Sequence, residues 1–208
     1  MSIKKRFNQK GIIYLINEKE GTASIIGYDT INDDLIIPQS IIYNSKEYTI
    51  KDILNGSFSH SSVKSLQFSN DCKLEMIGNQ AFCYSLITSI KIPSQVTRIG
   101  KGSFSYCNQL ISIEFANDSK LQIIDEEAFA YTPLQKIIIP SQVTRISKRV
   151  FLNCYKLKII EFINDSKLQS IEYQAFKNTS IESFTIPSEV TEIGEDFFEF
   201  AQNLKTFK

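Results

Sequence analysis

The 208-residue chain has no tryptophan, one histidine, five prolines and eight glycines. Scarce glycine and proline, set against plentiful isoleucine and phenylalanine, favour strands over helices. There is no excess of either charge, with 23 Lys+Arg against 23 Asp+Glu. A chain without net charge has no long-range attraction for nucleic acid or acidic membranes. No apolar run is long enough to cross a bilayer: Ile12-Ile13-Tyr14-Leu15-Ile16 is five residues and is ended by Asn17-Glu18. The opening Met1-Ser2-Ile3-Lys4-Lys5-Arg6 is basic but leads into no apolar segment, so no secretory signal is read there. Two destinations stay open, the cell interior or the cell surface by a route this chain does not encode. Cys72, Cys83, Cys107 and Cys154 include no C-x-x-C pair, which argues against zinc. No glycine-rich phosphate or dinucleotide motif occurs.

What the chain does have is a period. Hydrophobic residues make up 42%, enough to bury a core. Phenylalanines stand at 58, 82, 104, 129, 151, 176 and 198, at intervals of 24, 22, 25, 22, 25 and 22. A short and a long repeat therefore alternate, each pair being about 47 residues. The short form runs Ile87, Ile90, Ile92-Pro93-Ser94, Val96, Ile99, Phe104, and returns from Leu134 and Ile181. The long form runs Leu110, Ile113, Phe115, Asn117-Asp118-Ser119-Lys120, Leu121, Ile124, Phe129, with relatives from Val63 and Leu157. Anchors two apart, such as Ile113 and Phe115, lie on one face of a strand. Pro-Ser or Asn-Asp-Ser-Lys then turns the chain. A second short extended piece follows, anchored by Val96 and Ile99, and an irregular or helical turn delivers Phe104 to the interior. One turn cannot cover its own apolar face, but stacked turns can. Seven turns at ~4.8 Å per strand step give a stack roughly 30 Å long.

The pattern L-x-x-I-x-I/F, V/L-x-x-I, A/S-F over residues 50–208 resembles the BspA-type, or Treponema-type, leucine-rich repeats, including families expanded in parasitic protists and relatives in anaerobic bacteria. The resemblance implies a mostly β, right-handed leucine-rich-repeat solenoid with a strand ladder on its concave face. It also implies adhesion or protein binding, and it carries over no catalytic residue. Free thiols and the missing signal keep an intracellular interaction scaffold open as the alternative.

Residues 11–49 depart from the repeat and read as an N-terminal β cap. Ile12–Ile16 and Thr22–Tyr28 form a hairpin, Leu35-Ile36-Ile37-Pro38 starts a modified first repeat, and a second hairpin turns at Asn44-Ser45. Residues 1–10 are expected to be loose. At the other end Leu204-x-x-Phe207 begins a further long repeat, either closing the stack or leaving an edge for self-association.

The search for chemistry yields no catalytic, cofactor or metal residue. His60, in Ser59-His60-Ser61-Ser62, is read as a solvated turn residue because no nucleophile or acid motif accompanies it. Asp71, Asp118 and Asp165 recur every 47 residues, which sets equivalent positions about 10 Å apart, too far to share a calcium ion. They are read as turn formers. Cys107 and Cys154, each three residues after a repeat phenylalanine, are read as small buried residues out of disulfide reach. Four Asn-x-Ser triplets, from Asn55, Asn117, Asn164 and Asn178, are read as turn composition.

The outward positions of the strand ladder are mostly polar, with three exceptions in consecutive turns: Ile111, Ile138 and Ile159. Flanked by Glu114, Lys136, Lys158 and Glu161, they are the candidate partner-binding strip.

Overall fold

The structure is a computed structural model that describes residues 5–30, 33–201 and 203–207. Among them every regular element is a strand. The chain opens with β1 (Lys5–Gln9), β2 (Ile12–Asn17) and β3 (Thr22–Tyr28), an antiparallel meander. β4 (Asp34–Ile37) begins the repeat ladder, and β5 (Ser40–Tyr43) forms a hairpin with β6 (Lys46–Ile53). Asn44 and Ser45 make that turn with φ of 50° and 61°, values that a two-residue hairpin requires of both residues.

Two strand series then interleave. One consists of β7 (Ser65–Phe68), β9 (Ser89–Ile92), β11 (Ser112–Phe115), β13 (Lys136–Ile139), β15 (Ile159–Phe162), β17 (Ser183–Phe184) and β19 (Thr206–Phe207). The other consists of two-residue strands: β8 (Met76–Ile77), β10 (Arg98–Ile99), β12 (Ile123–Ile124), β14 (Arg145–Ile146), β16 (Ser170–Ile171) and β18 (Glu192–Ile193). The short strands extend the cap sheet in the order β1-β2-β3-β6-β8-β10-β12-β14-β16-β18, parallel from β3 onward. The result is a β-solenoid of about seven turns.

The period-two pattern explains the strands. Ile90 and Ile92 are buried while Ser89 and Lys91 are exposed, and the same alternation holds in β13. The stretches leading to the repeat phenylalanines are irregular turns, not helices. Their amides bond both back along the turn (Ser59 N–H to Gly56 O, 3.1 Å) and across to the next repeat (Phe58 N–H to Ala81 O, 2.7 Å). This leaves the repeat phenylalanines stacked as a column inside the solenoid, from Phe58–Phe82 at 5.3 Å to Phe176–Phe198 at 5.2 Å. Tyr28 of the cap stacks on Phe58 at 6.0 Å, so the cap and the repeats share one core.

The N-terminus corrects one expectation. Residues 5–9, expected to be loose, form β1, while residues 1–4 lie outside the described residues. Lys10 and Gly11 close the β1–β2 turn with φ of 52° and 79°. At Gly11 a Cβ would also sit 1.6 Å from the Thr30 carbonyl oxygen, so only glycine fits. Phe7 then packs edge-on against Tyr43 at 5.1 Å. One aromatic ring and a paired neighbour suffice to order a segment whose remaining residues are polar.

Candidate binding surface

The outward face of the ladder carries the residues singled out in the sequence. Ile111, Ile138 and Ile159 are 53%, 41% and 46% exposed. Register fixes their neighbours. Across β13–β15, Lys136 lies beside Ile159 and Ile138 beside Glu161. Isoleucine and charge thus alternate diagonally on this two-stranded unit, and Lys136 Nζ bonds Glu161 at 2.8 Å. Lys158 reaches Glu182 at 4.0 Å. These pairs are exposed and screened, so they add little stability but neutralise the charge around the isoleucines.

Ile111 and Glu114 lie on the neighbouring turn, beside β13 but not hydrogen-bonded to it through a strand ladder. Ile111 lies just ahead of β11, which belongs to the sheet β11-β9-β7-β4, whereas β13 and β15 form a separate pair. Sequence reasoning also missed Ile36 on β4, at 65% the most exposed large apolar residue among the described residues. It occupies the outward position equivalent to Ile138, with Gln67, Lys91 and Glu114 at the positions between.

A second surface feature went unread. Two residues after the repeat phenylalanines come His60, Tyr84, Tyr106 and Tyr131, all with φ between 58° and 61°. The left-handed backbone turns these rings outward into a stack with centroid spacings of 4.8, 4.6 and 4.2 Å. The column then continues as Asn153 and Asn178, joined at 2.6 Å. The hydrogen bond that the Tyr106 hydroxyl donates to Tyr131 is the main cause that lifts the Tyr106 phenol to about 12. The signal was present as F-x-(H/Y) in four successive repeats. His60 is therefore exposed, as expected of a turn residue, but it stacks on Tyr84.

The thiols are interior groups. All four cysteines are free and buried. Cys107 donates to Phe82 O at 3.0 Å and Cys154 to Phe129 O at 3.1 Å. Burial pushes these thiols up to about 12 and about 11, which makes them poor nucleophiles. Among the described residues no group of three or more His, Cys, Asp or Glu could hold a metal ion. No helix among them is long and apolar enough to cross a membrane.

A parallel-stranded stack with a polar, ion-paired outer face defines a repeat scaffold. Residues 37–158 and 75–205 match the family of the BspA type leucine-rich repeat region, in six copies, and the chain belongs to that family. Its solenoid is similar to several solved structures. A leucine-rich cell surface protein from Faecalibacterium prausnitzii superposes with a TM-score of 0.84 at 24% identity, over 99% of this chain and 54% of that one. A leucine-rich repeat protein from Bacteroides ovatus gives 0.68 at 23%, over 97% of this chain and 64% of that one. The pneumococcal vaccine antigen PcpA gives 0.67 at 16%, over 100% and 82%. At these identities the likeness establishes the fold. The chain spans about half the length of the Faecalibacterium protein. No curated protein matches it.

Proposed function

We propose that this chain is a non-enzymatic protein-binding or adhesion module whose partner docks on the strand-ladder face. The observation that carries this reading is the exposure of Ile138 and Ile159 on the outward face of paired strands, ringed by charges that neutralise one another. Exposed apolar residues inside a polar rim suit a protein interface. Ile111, Glu114, Lys136, Lys158 and Glu161 complete the proposed surface. The scaffold supplies rigidity, so binding costs little ordering.

The test compares the wild-type chain with an Ile138→Ser/Ile159→Ser variant as immobilised bait for cell lysates. The reading expects a specific protein on the wild type and its loss on the variant, with the melting temperature retained. Equal capture by both would overturn it.

A further inference from the structure

The ladder is not uniformly bonded. Within each short-to-long joint the strands pair over their full length: β4–β7, β9–β11 and β13–β15 each match four residues. At the long-to-short joints pairing fails. β7–β9 matches only two residues, and β11–β13 and β15–β17 are not paired. One cause is written in the sequence. Ser69, Ala116 and Ile163 each donate their N–H to the carbonyl that ends the preceding short strand, those of Ile37, Ile92 and Ile139. The equivalent donors at the long-to-short joints are Pro93, Pro140 and Pro187, which have no N–H to give.

At β15–β17 the joint opens into a notch of about 810 Å³. Its closed end is held by Ser180 N–H to Leu157 O at 3.0 Å. In a parallel ladder alternate residues direct both backbone groups to the same neighbour. Ile163, and with it Glu161, faces β13, so Ile160 and Phe162 direct their N–H and C=O into the notch. No backbone hydrogen bond joins Ile160 or Phe162 to Ser183, Thr185 or Pro187. The rim is acidic on balance: Asp165 and Glu189 face one cation, Lys167, which bonds the Gln142 amide at 2.7 Å, while Glu161 is paired with Lys136.

We propose that this notch takes up a short extended peptide with basic side chains at alternate positions, which pairs by its backbone with the open edge of β15. Edge strands bind extended segments through main-chain hydrogen bonds, while alternate side chains set specificity. Here the free edge supplies the first and the acidic rim selects the second. The proposal rests on the protein-binding reading and names a partner chemistry for it.

The test is fluorescence anisotropy of a labelled octapeptide of alternating valine and lysine, titrated with the full chain. Saturable binding is expected, weakened about tenfold when alternate peptide amides are N-methylated and absent for a valine–glutamate peptide. An Asp165→Asn/Glu189→Gln variant, which removes charge at two exposed positions, is expected to bind about tenfold more weakly. Hydrogen exchange should slow at the Ile160 and Phe162 amides on binding. Absence of saturable binding, indifference to N-methylation, or protection confined to other strands would overturn the proposal. None of these results depends on Ile138 or Ile159, so failure here is distinguishable from failure of the ladder-face reading.

Discussion

At the residue scale, the repeat phenylalanine is the unit of the core. Phe129 is fully buried and stacked on Phe104 at 5.5 Å and Phe151 at 5.7 Å. Phe129→Ala should cost about 3–5 kcal/mol in a urea unfolding titration, because it removes transfer energy and leaves a cavity between two rings. A loss under ~1 kcal/mol would mean that the column is not tightly packed. The buried acids set the alkaline behaviour. Cys107 moves from 9.0 to about 12 and Tyr14 from 10.0 to about 12, both through burial. The folded chain therefore keeps these protons at pH values where the unfolded chain has lost them. The stability these two groups contribute should be level below about pH 9 and fall as pH rises towards about 12, read as melting temperature across the alkaline range. The phenylalanine spacing and the buried thiols were legible in the sequence because each residue repeats in one column. The outward tyrosines were not, because a lone tyrosine near a turn looks like ordinary surface until the backbone φ stacks it on its neighbours.

At the scale of the element, the 22- and 25-residue alternation proves to be an alternation of bonding. Proline and the Asn-Asp turn were legible as turn formers. Their consequence, a ladder bonded most fully in doublets, was not, because it depends on which strand each carbonyl faces. Pro140→Ala restores a donor opposite Phe115 O, and native-state hydrogen exchange should show protection of the new amide at 140. An unprotected amide would show that the opening is set by strand geometry alone. The tyrosine stack is a second element. Tyr106→Leu breaks ring contacts on both sides, to Tyr84 and Tyr131, and is expected to cost about 0.5–1.5 kcal/mol in thermal denaturation. The strand that escaped sequence reading, Lys5–Gln9, has only Phe7 as an apolar anchor, so its hydrophobic pattern is too thin to register.

At the scale of the molecule, each turn contacts chiefly its neighbours, and the cap sheet runs without interruption into the short-strand series. Such a stack is rigid along its length and offers a long, regular face, which suits recognition of another protein. The candidate strip was legible in part. Exposure of Ile138 and Ile159 followed from strand alternation, and that of Ile111 from its place between the buried anchors Leu110 and Ile113, but ladder hydrogen bonding lapses between β11 and β13, leaving Ile138 and Ile159 on one bonded doublet. The weight of binding is therefore expected on that doublet. The most direct measurement is a surface plasmon resonance titration of the captured partner, once purified, over wild-type and Ile138→Ser/Ile159→Ser chains with matched melting curves. A loss of about tenfold or more in affinity at unchanged melting temperature is the predicted result. Equal affinities for the two chains would contradict the account.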